Sequence, residues 1–91
     1  MLDYAALAAL AEIIRRGSFD AAAAALGVTP SAISQRIKGL EERLGQVLIH
    51  RGPPATGTET GLRLMQHLDQ VRLLEATLDG ALRPGAGPAE H

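Results

Sequence analysis

Residues 18–44 read SFDAAAAALGVTPSAISQRIKGLEERL, and this stretch decides the fold. Ser18 is a good N-cap for a helix over about Phe19 to Leu26, because its hydroxyl can accept from an orphan N–H of the first turn. Gly27 ends that helix, since it takes the left-handed conformation without steric cost. Val28 follows as a buried spacer. Thr29 caps a second helix, about residues 30–44, and Pro30 opens it at the position where a missing N–H costs nothing. Ile33, Ile37, Leu40 and Leu44 make a one-sided apolar stripe, while Ser31, Ser34, Gln35, Arg36 and Lys38 take the other side. Two short helices, a glycine turn and a polar outer face on the second form a helix-turn-helix pattern. Ala23 stands where the helices would cross, and a larger side chain there would push them apart. An ordinary antiparallel helix pair is the alternative.

Upstream, about Asp3 to Arg16 reads as a helix whose stripe is Leu7, Leu10 and Ile14, with Ala6 and Ile13 beside it. Arg15 and Arg16 complement the helix dipole in the last turn rather than serving as phosphate ligands, and Gly17 stops the helix. Downstream of Gly45, Val47-Leu48-Ile49-His50 is β-prone, Gly52-Pro53-Pro54 must turn, and Ala55-Thr56 can return. The result is a small hairpin, a wing; an irregular loop is the alternative. Thr58 then caps a last helix that runs to about Leu82. Leu64, Val71 and Leu78 recur every seven residues, Leu68 and Leu82 fill companion positions, and Glu75 interrupts the row. Part of this stripe should pack on the first helix, and the rest is a candidate dimer surface. The Pro- and Gly-rich tail, RPGAGPAEH, reads as a flexible linker.

The expected fold is therefore mainly α. A winged helix-turn-helix with a three-helix core occupies residues 1–57. A linker or dimerisation helix covers 58–82, and a hinge or tail covers 83–91, where a further domain would begin.

Composition narrows the function. The chain has 91 residues, 46% of them hydrophobic, with one Phe, one Tyr and no Trp. A thin aliphatic core follows, and a large catalytic cleft does not. The absence of cysteine removes disulfides and thiolate metal sites, and it fits a reducing cytoplasm. No apolar run approaches the roughly 20 residues that span a bilayer. His50, His67 and His91 fall on three separate elements without metal-ligand spacing. Glu41 and Glu42 are adjacent on a helix, so their carboxylates diverge; they should pair with Lys38 or Arg51, or face solvent. No catalytic residue, metal ligand or cofactor is predicted.

The net charge of −1 argues weakly against a nucleic-acid partner, but the charge is unevenly placed. Between Thr29 and Gly52, Arg36, Lys38, Arg43 and Arg51 outweigh Glu41 and Glu42, whereas the chain from Pro53 onward is acidic. A local field of this kind implies moderate, strongly salt-dependent affinity for DNA. A helix that starts with Pro30, Ser31, Ser34 and Gln35 can enter a major groove. Serine donates or accepts with either base type, and glutamine pairs bidentately with adenine. Arg36 and Lys38 flank this face within reach of phosphates.

The combination of S-F-x-x-A-A, a turn, T-P-S-A-I-S-x-x-I, L-E-x-x-L-G, an L-I-x-R strand and TETG before a long helix resembles the N-terminal domain of LysR-type transcriptional regulators. The resemblance covers about Leu2 to Leu82, and IHRGPPATGTETG resembles the branch controlling lysine and arginine export. It implies binding of double-stranded DNA at imperfect inverted repeats, with the last helix pairing antiparallel to its mate in a homodimer and tetramers in complete proteins. It also implies an effector-binding domain beyond the hinge, taking a small molecule such as a basic amino acid. Pro30, Ser31, Ser34 and Gln35 match base-contacting positions. Ser18, Arg36, Lys38 and Arg51 match phosphate contacts or their supporting pairs. Leu64, Leu68, Val71, Leu78 and Leu82 are the expected dimer stripe. Two departures stand out: Ile49 replaces a common Phe, and the Gly52-Pro53-Pro54 wing tip lacks the basic residue that many members place in the minor groove. The competing reading is a helical oligomerisation module that works through the Leu64–Leu82 stripe without touching DNA.

Overall fold

The computed structural model describes residues 3–82. Three helices come first: α1 (Tyr4–Arg16), α2 (Phe19–Leu26) and α3 (Pro30–Leu44). Two short strands, β1 (Ile49–His50) and β2 (Thr56–Gly57), lead into the long α4 (Glu59–Leu82). Each helix of the first three is bounded by its own side-chain chemistry. The carboxylate of Asp3 accepts from Ala5 N at 3.0 Å, Ser18 Oγ from Ala21 N at 3.1 Å and Thr29 Oγ1 from Ala32 N at 3.1 Å. Gly17, Gly27 and Gly45 close the same helices in the left-handed conformation.

The core lies where these helices meet. Leu7, Leu10 and Ile13 of α1, Ala22 and Ala23 of α2, and Ile33, Ile37 and Leu40 of α3 are all buried. Alanine at 22 and 23 lets α2 approach its neighbours closely, which an aliphatic core without large aromatics requires. Ile13 lies at the centre and Ile14 at the rim, the reverse of the weight the stripe gave them. Val28 is only half-buried. Leu44 leaves the core altogether at 37% exposed, because α3 outruns the body it packs against.

The wing forms, shifted from its expected strands. Ile49 pairs with Gly57 and His50 with Thr56, antiparallel. Ala55 is buried instead of paired, and its N–H donates to the Gly17 carbonyl at 2.9 Å, which pins the returning chain on the end of α1. Val47 and Leu48 precede the pairing because their backbone is already used. Thr58 Oγ1 donates to Val47 O at 2.7 Å, Thr58 N donates to Leu48 O at 3.0 Å, and Leu48 N donates to a Glu41 carboxylate oxygen at 2.8 Å. Gly61 completes this junction. A Cβ there would sit 2.2 Å from the Leu48 carbonyl oxygen, so only glycine lets α4 start against the wing.

The first half of α4 packs on α1 through Leu68, which is 1% exposed, with Leu64 and Met65 half-buried beside it. This corrects the expected dimer stripe at one position. Leu68 has its surface consumed inside the chain and has none left for a mate. Past the contacts of Asp69 and Arg72 with α1, α4 stands clear, with Leu73, Leu74 and Leu78 exposed at 69, 59 and 50%. The molecule is accordingly long, 48 × 26 × 19 Å. Leu82 closes α4, but its side chain lies outside the described residues, as does the expected hinge at 83–91.

Candidate nucleic-acid interface

Ser31, Ser34, Gln35 and Lys38 stand at i, i+3, i+4 and i+7, so a helix places them in one row. Ile33, Ile37 and Leu40 occupy the opposite, buried side of α3. Thr29, Pro30, Ser31, Gln35 and Lys38 are exposed and Ser34 is half-buried. The row begins at the N-terminus of α3, where unsatisfied N–H groups and the helix dipole favour anions. Arg36 differs from the flanking position expected for it: one residue past Gln35, it turns toward the edge of the buried face and is half-buried. Lys38 lies within the row rather than beside it.

Ser18 and Arg51 come together across an open groove of about 220 Å³ between the start of α2 and the wing. The Arg51 guanidinium lies 4.6 Å from the centroid of the Phe19 ring. The ring holds the planar cation by its face and leaves the N–H edge free to donate. Asp20 lines the same groove and moderates its positive character.

The ion pairs found among the described residues lie on α1 and α4. Glu12 accepts from Arg16 at 2.7 Å and Arg15 at 3.4 Å, Arg15 also pairs with Asp69, and Arg63 pairs with Glu59 at 2.9 Å. Arg16 beside it holds the Glu12 carboxyl below the usual glutamate range, against the opposing pull of partial burial. Arg15 and Arg16 are therefore committed to carboxylates. Arg36, Lys38, Arg43 and Arg51 carry no carboxylate partner among the described residues, so positive charge is left free on α3 and the wing.

Two residues with positioning roles escape a reading of the sequence. Glu41 does not pair with Lys38 or Arg51. Its carboxylate accepts from the N–H groups of Leu48 at 2.8 Å and Ile49 at 3.4 Å, tying the end of α3 to the start of the wing. Phe19 is the platform for Arg51. Among the described residues there is no group of three His, Cys, Asp or Glu able to hold a metal, and no helix is long and apolar enough to cross a membrane.

A helix-turn-helix with a short wing and an unpaired polar row on its third helix defines a nucleic-acid-binding class. The bacterial regulatory helix-turn-helix family of the lysR type matches residues 4–62, and the chain belongs to that family. It is 53% identical over 78 residues to the HTH-type transcriptional regulator ArgP of Pseudomonas fluorescens, covering 86% of this chain and 26% of that protein. The chain thus spans about a quarter of the length of that relative. It superposes on full-length LysG from Corynebacterium glutamicum with bound effector Arg at TM-score 0.84 and 42% identity, over 89% of this chain and 28% of that one. It also superposes on the BenM DNA-binding domain in complex with benA site 1 DNA at TM-score 0.78 and 26% identity, over 85% and 91% of the two chains. The ArgP relative is a transcriptional regulator and the BenM domain is bound to DNA, so an oligomerisation module without DNA readout is not favoured.

Proposed function

We propose that the chain reads double-stranded DNA as the DNA-binding part of a LysR-type transcriptional regulator, inserting the first turns of α3 into the major groove. The observation that carries this reading is the row of exposed Ser31, Gln35 and Lys38 with half-buried Ser34 at the start of α3. Pro30, Ser31, Ser34 and Gln35 approach base edges, where small residues and an amide supply discrimination. Ser18 and Arg51 hold phosphates beside the row, Lys38 does so from its far end, and Arg36 serves from its edge. Pro53 and Pro54 offer no cation to the minor groove, so the wing contributes through Arg51 at its base.

Two copies joined along α4 would present two such helices to an inverted repeat. Exposed Leu74 and Leu78, with half-buried Val71, form the row for that contact, with Leu64 at its base. Leu82 extends it by spacing. The chain acts by binding rather than by catalysis, in the cytoplasm, as part of a longer regulator that assembles into tetramers. By similarity to the ArgP and LysG relatives, the effector of that longer protein is a basic amino acid, sensed outside residues 1–91.

A fluorescence-anisotropy titration against the DNA upstream of its own gene, repeated across salt concentrations, tests the reading. Specific binding whose affinity falls steeply with salt is the expected result. Equal affinity for that DNA and for random duplex would refute it.

A further inference from the structure

The contacts between α1 and α4 are disposed in an unusual way. Among the described residues of α4, Leu68 is the fully buried apolar side chain there, with Leu64 and Met65 half-buried about a turn before it, so the apolar packing ends at Leu68. Two polar contacts flank it. Asp69 pairs with Arg15, near the end of α1. Arg72 lies with its guanidinium 5.9 Å from the centroid of the Tyr4 ring and its Nε donates to the Tyr4 hydroxyl at 3.4 Å, at the opposite end of α1. Asp69 and Arg72 are less than one turn apart on α4, about 4.5 Å of helix, whereas Tyr4 and Arg15 are about 16 Å apart along α1. The two side chains therefore reach in opposite directions from one point, as stays reach from a mast.

We infer that Asp69 and Arg72 are positioning residues that fix the angle at which α4 leaves the DNA-binding body, and so set the half-site spacing the dimer accepts. This rests on the DNA-binding reading above. Leu64, Met65 and Leu68 hold only the first turns of α4, and the apolar residues past them, Leu73, Leu74 and Leu78, are exposed, so apolar packing leaves the far part of the helix the freest to swing. The stays supply direction, because a swing of α4 lengthens one contact while it compresses the other. The stretch from Leu68 to Leu82 is about 21 Å long, so a swing of roughly 10° displaces its far end by about 4 Å. That is close to the rise of one base pair, about 3.4 Å. Both side chains of the Arg15–Asp69 pair are more than a third exposed, at 40% and 47%, so the stays add little to stability while they restrict orientation.

The test joins a distance measurement to a DNA measurement, using the Asp69→Asn/Arg72→Gln double variant. The chain has no cysteine, so spin labels introduced by Ala24→Cys and Ala76→Cys, at two exposed sites, report the body-to-α4 distance without interference. Labelled chains are diluted with unlabelled ones so that only distances within one chain are read. The parent should give one narrow distribution and the double variant a broadened or shifted one, at unchanged helix content. Both are then titrated against a single half-site selected from random duplexes, and against inverted repeats whose spacer grows by single base pairs. The variant should bind the single half-site within about twofold of the parent, as expected for exposed contacts remote from DNA. Its preference for the best spacer over the next should fall several-fold. An unchanged distance distribution, or an unchanged spacer preference in a chain whose distribution has broadened, would overturn the inference. If the parent chain binds no half-site, the DNA-binding reading fails and takes the spacing role with it, while the distance measurement still decides the brace.

Discussion

At the scale of single residues, the row on α3 separates two kinds of contact. Gln35→Ala or Ser34→Ala should reduce discrimination between operator and random DNA by about 1–3 kcal/mol per good base contact, measured as a ratio of affinities. Lys38→Ala should instead weaken binding to every sequence alike and lower the slope of log affinity against log salt by about 1. If Lys38→Ala changes the ratio and leaves the slope alone, the two roles are interchanged. Glu12 makes a different kind of forecast. Its folded value is depressed by Arg16, so its contribution to stability is present above the unfolded-chain glutamate value of about 4.3 and is lost as pH falls through the lower folded value. Glu12→Gln should therefore destabilise the chain at neutral pH and flatten the acid limb of its stability curve, read by urea melts across pH. The row itself was legible because spacing by three and four is all a helix needs to align side chains. Glu41 was not legible: its targets are backbone N–H groups seven and eight residues on, and no side-chain pattern encodes them.

At the scale of elements, helix ends were the most readable features of the chain. Ser18, Thr29 and three glycines each do a local job that does not depend on tertiary context, whereas Asp3, read as the first residue of α1, turns out to cap it. The wing was less readable because non-local bonds decide it. Ala55 has adequate chemistry for a strand, yet the Gly17 carbonyl takes its N–H and moves the pairing on by one residue. The α2–α3 crossing offers a direct check. Ala23 is 1% exposed, so Ala23→Leu should cost about 1–3 kcal/mol by overpacking. A retained melting temperature would show that the crossing has room. Gly61→Ala should separate α4 from the wing, because the new methyl meets backbone rather than a side chain that can move. Loss of amide-exchange protection at Leu48 and Thr58, with α1 to α3 still protected, is the expected signature.

At the scale of the whole molecule, α4 divides into a half used internally and a half left open, a division that periodicity alone could not make. Leu64, Leu68, Val71 and Leu78 look equivalent in the sequence, but only the three-dimensional position of α1 withdraws Leu68. Leu78→Asp, at a position 50% exposed, should leave the fold intact and yield monomers in sedimentation. A persistent dimer would place the seam elsewhere on the helix. The partition of charge has a further consequence. Carboxylates neutralise the arginines of α1 and the first turn of α4, while those of α3 and the wing stay bare, so a molecule of net charge −1 is electrically lopsided. Far from a polyanion such a body feels almost no pull. Within a Debye length, about 8–10 Å, it feels a torque that turns its bare side inward before any contact is made. Capture radius and landing orientation are thereby uncoupled: the chain is not dragged onto every acidic surface, yet once close it arrives with α3 leading.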